Sequence, residues 1–194
     1  MKKIVLLDNG HGKETPGKRS PDGTLLEYNY TREITKRIKQ QLDEINDIKC
    51  IRIVEEDDDI GLSARARRVN KICDEYGTNN VILISVHLNA AGNGSSWLLG
   101  RGWEAWTSRG KTESDKLAKC ISDAVNEVLI PKGFINRGLK ESGFTILTKT
   151  KCAAVLTENL FQDNKTEVDY LKSEEGIESI VELHIKGIKK YLEL

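Results

Sequence analysis

Nowhere in the chain does an apolar run approach the roughly 20 residues that a membrane-spanning helix needs, so insertion into a bilayer is not expected. Charge of one sign is not in excess either. The 30 basic and 30 acidic residues cancel, and a nucleic-acid partner, which normally shows as a basic surplus or patch, is not expected. Cysteine is sparse: Cys50, Cys73, Cys120 and Cys152 are scattered and form no C-x-x-C pair. Reduced core thiols are therefore expected, rather than disulfides or thiolate metal ligands. The start Met1-Lys2-Lys3 is followed only by Ile4 to Leu7 before Asp8, well short of the ~7–15 apolar residues of a secretory signal. No internal repeat, low-complexity tract or Pro/Ser-rich linker interrupts the 194 residues. A single domain spanning 1–194 is expected, long enough to bury a substantial core.

What is present is an alternation of short β-branched runs with helical patterns. Strands are expected at about 3–8, 49–54, 81–86, 103–107, 144–147 and 154–157. Helices are expected at about 27–45, 62–76 (with Ser63 an alternative start) and 113–129, then one after Asp163 and one over about 174–192. The first helix carries Tyr30, Ile34, Ile38, Leu42 and Ile45 at helical spacing. Such alternation predicts an α/β fold, a sheet covered by helices on both faces.

Two of the apolar runs end in histidine. Ile4-Val5-Leu6-Leu7-Asp8-Asn9-Gly10 leads to His11, and Val81-Ile82-Leu83-Ile84-Ser85-Val86 leads to His87. Ligands gather beyond the carboxyl ends of strands in open α/β sheets, so the pair suggests a metal site. A zinc hydrolase commonly completes such a pair with a carboxylate and a water. Glu27, opening the helix after the first loop, fits the third place. Taken alone it reads somewhat better as a carboxylate favoured by a helix N-terminus; with both histidines present, the ligand reading is preferred. Ala153-Ala154-Val155-Leu156-Thr157 delivers Glu158 to the same edge. Glu158 is either a solvated strand end or a base able to take a proton from metal-activated water and return it to a leaving amine.

Together these pieces resemble the zinc-dependent N-acetylmuramoyl-L-alanine amidases, which cleave the bond between muramic acid and the peptide stem of peptidoglycan. Asp8-Asn9-Gly10-His11-Gly12 matches that family's opening D-x-G-H-G, and Glu27 matches its glutamate ligand. Ser85-Val86-His87-Leu88-Asn89-Ala90 is similar to its Ser-(Ile/Val)-His-x-Asn-Ala. Leu62-Ser63-Ala64-Arg65 with Asn70 is similar to its L-x-x-R-x-x-x-A-N, with Val69 in place of the alanine. Gly102-Trp103-Glu104-Ala105-Trp106, Arg137-Gly138-Leu139-Lys140, Phe144–Leu147 and Glu158 follow in the family's order.

The resemblance implies a mixed six-stranded sheet between helices and one zinc ion on His11, Glu27 and His87. It implies Glu158 as the catalytic residue and peptidoglycan as the partner. The departures are Cys152-Ala153, where a proline is common, and Asn159-Leu160-Phe161, where a glycine–phenylalanine pair is usual. They bear on substrate preference more than on chemistry. Two other readings stand beside hydrolysis of the muramoyl–alanine bond. One is a peptidoglycan-binding or regulatory protein of the same fold without turnover; the other is a zinc amidase acting on a different amide. With neither a signal nor an appended wall-binding module expected, the chain would reach the wall through another factor or at lysis, as a phage-type lysin does. A monomer is expected.

Other residues carry less. His184 lies on the apolar stripe Ile177, Val181, Ile188, Tyr191 and is expected to be structural. Glu55-Glu56-Asp57-Asp58-Asp59 lacks the glycine and spacing of a calcium loop and reads as solvated. Trp103 and Trp106 fall on opposite faces of one strand, as packing residues. Arg65 is expected to form a structural ion pair near a helix N-terminus. Trp97 either contacts sugar or peptide or covers a core edge, and Asn89 orients substrate or a ligand loop.

Overall fold

The computed structural model describes residues 2–194. Six strands form one sheet: β1 (Lys3–Asn9), β2 (Ile48–Arg52), β3 (Val81–Asn89), β4 (Trp103–Thr107), β5 (Asn136–Glu141) and β6 (Ala153–Phe161), in the order β2-β1-β3-β6-β4-β5. β4 runs antiparallel to β6 and the other neighbours are parallel, so the sheet is mixed, as expected. The helices are α1 (Glu27–Asp43), α2 (Leu62–Tyr76), α3 (Glu113–Val128), α4 (Thr145–Thr148), α5 (Lys165–Leu171) and α6 (Glu174–Leu192).

The two-residue period of the strands splits the core into two layers. Val5, Leu7, Ile84, Val86 and Val155 meet α1, α3, α5 and α6 on one face. Ile4, Leu6, Leu83, Ala154 and Leu156 meet α2 and α4 on the other. Trp103 is buried in the first layer and Trp106 packs on the second, opposite faces as their spacing requires. Helix ends are fixed locally. Thr112 and Asp115 form a reciprocal capping box on α3, and the Ser173 hydroxyl accepts from the Gly176 N–H to cap α6.

Two expected elements are corrected. Phe144–Leu147 is no strand: Phe144 precedes the single helical turn α4, which turns Ile146 and Leu147 into the second layer. A four-residue apolar run has no measurable period, so nothing in its pattern separates a turn of helix from a strand. The sixth strand is instead β5, Asn136-Arg137-Gly138-Leu139-Lys140-Glu141, paired only with β4 at the sheet's edge. Edge strands are commonly charged, and so β5 shows no apolar run to read. A third difference concerns length. β3 and β6 continue three and four residues past their expected ends, placing His87 and Glu158 within the ladder rather than beyond it.

At that end of the ladder the register slips. His87 faces Glu158, but Asn89 faces Phe161, so β6 holds one extra residue. The bulge carries Leu160 at φ 68°, in left-handed backbone. It turns that side chain into the first layer, although strict alternation after Leu156 and Glu158 would aim it at the second.

His184 is structural as expected. Its Nδ1–H donates to the Ile180 carbonyl (2.7 Å), which leaves Nε2 to accept from the Thr157 hydroxyl (3.0 Å). Burial pushes its pKa down to about 4 from 6.5. The folded protein thus keeps this imidazole neutral, while the unfolded chain takes up a proton below pH 6.5. Its contribution is intact above pH 6.5 and is lost as pH falls towards 4, by up to about 3 kcal/mol. Denaturant titrations between pH 7 and 4.5 should therefore show a shallower loss of stability in His184→Gln than in the wild type. Parallel slopes would count against this role.

All four cysteines are free thiols, and Cys50, Cys73 and Cys152 are buried. Among the described residues no helix is long and apolar enough to cross a membrane.

Candidate active site

Three strands and one helix meet at the carboxyl edge of the sheet. β1 leads through Gly10 to His11, whose backbone is left-handed (φ 60°). A side chain at Gly10 would have its Cβ 2.5 Å from His87 Nδ1, so only glycine lets this loop pass under the second histidine. β3 brings His87 onto the α2 face of the sheet. α1 packs on the opposite face, and its first residue, Glu27, reaches the edge from below. Glu27 is fully buried, its Oε1 accepting the Leu88 N–H (3.0 Å) and its Oε2 the Gln162 side-chain amide (3.2 Å).

The sequence-derived triad comes together. Glu27 Oε1 stands 3.5 Å from His11 Nε2 and 3.4 Å from His87 Nδ1. The three donor atoms all lie within 4.8 Å of one another, and the imidazole rings are perpendicular, with centroids 5.1 Å apart.

A hydrogen-bonded chain decides which nitrogen of His87 is free. Arg65 pairs with Asp8 Oδ1 (2.6 Å), and Asp8 Oδ2 accepts the Ser85 hydroxyl proton (2.6 Å). Having given its one proton away, Ser85 Oγ accepts from His87 Nε2–H (3.1 Å). His87 Nδ1 is thereby left with its lone pair towards Glu27.

Electrostatics at the cluster pull in opposite directions. Burial lowers the pKa of His11 to about 4, with the Glu27 carboxylate pulling the other way. Burial also opposes charge on His87, but the carboxylates of Glu27, Glu158 and Asp8 outweigh it, and its pKa rises. For Glu27, the two histidines and Lys18 overcome desolvation and the pKa falls. This is the electrostatics of a site suited to a cation.

Glu158 stands beside His87 in the β3–β6 register and opposite Glu104 across β4. Its Oε2 is buried without a hydrogen-bond partner. Desolvation, helped by the negative charges of Glu27 and Glu104, pushes its pKa up to about 7 against the pull of His87 and Lys18. Glu104 is itself neutralised by Arg137 and Lys140, each 2.6 Å away. His11, His87 and Glu158 open together into a cavity of about 710 Å³, with Lys18 on one wall and Leu62 and Phe144 at its apolar rim.

The pattern of the N-acetylmuramoyl-L-alanine amidase family matches residues 5–190, almost the whole chain. The chain belongs to that family. Among relatives of this amidase, the endolysin of Bacillus phage SPP1 is 29% identical, aligned over 100% of this chain and 68% of its own. The N-acetylmuramoyl-L-alanine amidase CwlM of Bacillus licheniformis is 28% identical over 98% of this chain and 69% of its own. The crystal structure of an N-acetylmuramoyl-L-alanine amidase from Clostridium difficile 630 superposes with a TM-score of 0.87 at 25% identity, covering 99% of this chain and 97% of that one.

Two residues singled out from the sequence lie outside the amidase's cavity lining. Asn89 is tied locally, its Oδ1 to the Ala90 N–H and its carbonyl to the Gln162 N–H. Trp97 sits under the Lys165 ammonium (5.5 Å), on a loop held by the Leu98 N–H to the Asp163 carbonyl. The acidic run 55–59 is exposed, as expected, although Asp59 reaches the cavity rim and accepts from the Thr15 hydroxyl. Sequence reading missed three members of the amidase's site. Ser85 was open to discovery, because it lies two residues before His87 on the same strand face. Gln162 and Lys18 offered no comparable signal: each reaches the site from a segment of irregular or broken pattern.

Proposed function

We propose that this amidase hydrolyses the amide between N-acetylmuramic acid and L-alanine with one zinc ion held by His11 Nε2, Glu27 Oε1 and His87 Nδ1, and with Glu158 as proton carrier. The observation that carries the reading is Glu158, whose Oε2 is buried without a partner and which opens into one cavity with His11 and His87 of the triad. The donor set suits zinc: two imidazoles and one carboxylate are the three protein ligands of a catalytic site. Zn–N and Zn–O bonds of about 2.0–2.1 Å set tetrahedral neighbours roughly 3.3 Å apart, close to the 3.4 and 3.5 Å of the two Glu27 contacts. When bound, zinc supplies a Lewis acid that acidifies water and draws charge from the amide carbonyl.

The chain's own residues do the rest. Gln162 and the Leu88 N–H hold the Glu27 carboxylate, and the Arg65–Asp8–Ser85 chain holds the His87 ring. Glu158 takes a proton from the attacking water and returns one to the L-alanine nitrogen as the C–N bond breaks. The products are a lactyl carboxylate on the sugar and a free amine on the peptide. A pKa displaced towards neutrality suits a group that must both accept and give. One copy of the chain supplies every residue in this scheme, which favours a working monomer. The likeness to a phage endolysin favours a lysin that reaches the wall through another factor.

Metal analysis coupled to muropeptide mass spectrometry tests the reading. About one equivalent of zinc is expected, with chelation abolishing turnover and zinc restoring it. The fragments should pair intact muramic acid with stems that begin at a free L-alanine amine. Fragments cut elsewhere, or wall binding without release, would overturn it.

A further inference from the structure

Charge accounting around the cavity leaves one cation over. Of the basic residues lining it, Arg65 is fully engaged. Its guanidinium donates to Asp8 and to the carbonyls of Asn9, His11 and Ile60. Lys18 lines the same cavity and makes no side-chain hydrogen bond or ion pair among the described residues. Its charge nonetheless acts on His11, Glu27 and Glu158 alike, which places the ammonium within electrostatic reach of all three.

Its backbone is not free to wander. The Lys18 carbonyl accepts the Glu27 N–H (3.0 Å), and Arg19 bridges Leu26 in antiparallel fashion. The hairpin that sets the first residue of α1 thus sets Lys18 as well. On its other side, Gly17 (φ 72°) lies against the 93–94 loop so closely that a Cβ there would be 2.9 Å from the Asn93 carbonyl. A long cationic side chain on a doubly clamped backbone, lining the cavity with no hydrogen bond or ion pair among the described residues, is available to an anionic group of the substrate.

The chemistry of the substrate narrows the choice. Resting on the muramoyl–alanine reading above, the lactyl carboxyl is consumed in the scissile amide and the N-acetylated sugar carries no charge. The anionic groups of an N-acetylmuramoyl peptide therefore lie on its peptide side. We propose that Lys18 is a specificity-determining residue that binds a free carboxylate of the stem peptide, so that the enzyme selects stems with that carboxylate free over stems in which it is amidated. An ion-paired hydrogen bond of this kind is stronger than a neutral one, and amidation removes its ionic part, leaving the ammonium only an uncharged amide oxygen.

The test uses two synthetic N-acetylmuramoyl-L-alanyl peptides that differ only in whether the carboxylate of the residue after L-alanine is free or amidated. The wild type should favour the free acid by tenfold or more in kcat/KM, through KM. Lys18→Met should bring the acid-to-amide ratio of kcat/KM close to one, a ratio from which any loss common to both substrates cancels, with zinc content measured alongside. Lys18→Arg should keep most of the preference. Equal losses on both substrates would overturn the proposal, since they would mean that Lys18 acts on the reaction centre or on Glu158. The absence of any wild-type preference would overturn it too. Hydrolysis of neither substrate by zinc-loaded wild type would instead strike at the amidase reading itself, and take this inference with it.

Discussion

Glu158→Gln should keep its zinc and lose about 10³-fold in kcat, with KM little changed, within the ~10²–10⁴ range of general acid–base catalysis. Glutamine has nearly the volume of glutamate, and the Glu158 Oε2 it replaces has no hydrogen-bond partner to lose. The substitution therefore removes the capacity to carry a proton and the negative charge beside His87, with little change of shape. The wild type should also show an acid limb. As a base, Glu158 works only when ionised, so kcat/KM falls as pH drops through its pKa. Burial places that value at about 7, and the positive charge of a bound zinc must pull it lower, so the limb belongs below neutrality. In Glu158→Gln the limb should vanish from the residual rate. Release of stem peptide from purified peptidoglycan, followed across pH with zinc content checked, measures both. A variant that digests at the native rate would remove Glu158 from the mechanism.

Arg65→Met should cost about 3–5 kcal/mol of stability, the range for stranding one partner of a buried ion pair. Arg65 and Asp8 are each only 2% exposed and meet at 2.6 Å. Removing the guanidinium leaves the Asp8 carboxylate in the sheet edge with the Ser85 hydroxyl as its remaining side-chain partner. It also removes a donor from the carbonyls of Asn9, His11 and Ile60, leaving that of His11 only Arg32 of α1 (3.2 Å), so the His11 loop loses its ties to α2. Denaturant midpoints report the loss. The double variant Asp8→Leu/Arg65→Met should recover part of it, because no buried charge is then left alone. A single-variant loss below about 1 kcal/mol would contradict a mainly ionic role. Activity should fall further than stability alone explains, since the Asp8–Ser85 link also fixes the His87 tautomer.

The parts of this fold that could be read from sequence are those in which apolar pattern and function coincide. β1, β3 and β6 are buried on both faces, so their runs stand out and their polar ends point to the edge where ligands collect. α2 was legible to within a residue, and His184 announced its structural role by its place on an apolar stripe. β5 was not legible, because an edge strand written Asn136-Arg137-Gly138-Leu139-Lys140-Glu141 buries too little to show a period. α4 failed for the opposite reason: its apolar residues are too few to fix one. At the site, the residues proposed to touch the reaction announced themselves by type, His11, His87 and Glu158 at the ends of apolar runs and Glu27 at a helix start. Of those that hold them, Arg65 was legible as an ion-pairing residue, but its partner was not, and Gln162 was not legible at all. Arg65 pairs with a residue 57 positions away, and Gln162 meets Glu27 across 135. No local pattern carries such a contact.

The bulge at the end of β6 gives Glu158, the proposed proton carrier, an unusual kind of support. Catalytic side chains are commonly steadied by polar neighbours, yet Glu158 Oε2 has none. Two residues on, Leu160 dives through the sheet and is wholly buried among the side chains of the other face. For Glu158 to slide along the strand, that leucine would have to leave its socket. The carboxylate is thus free to exchange protons without breaking any bond that keeps it in place, because its anchor is greasy and lies on the far side of the wall.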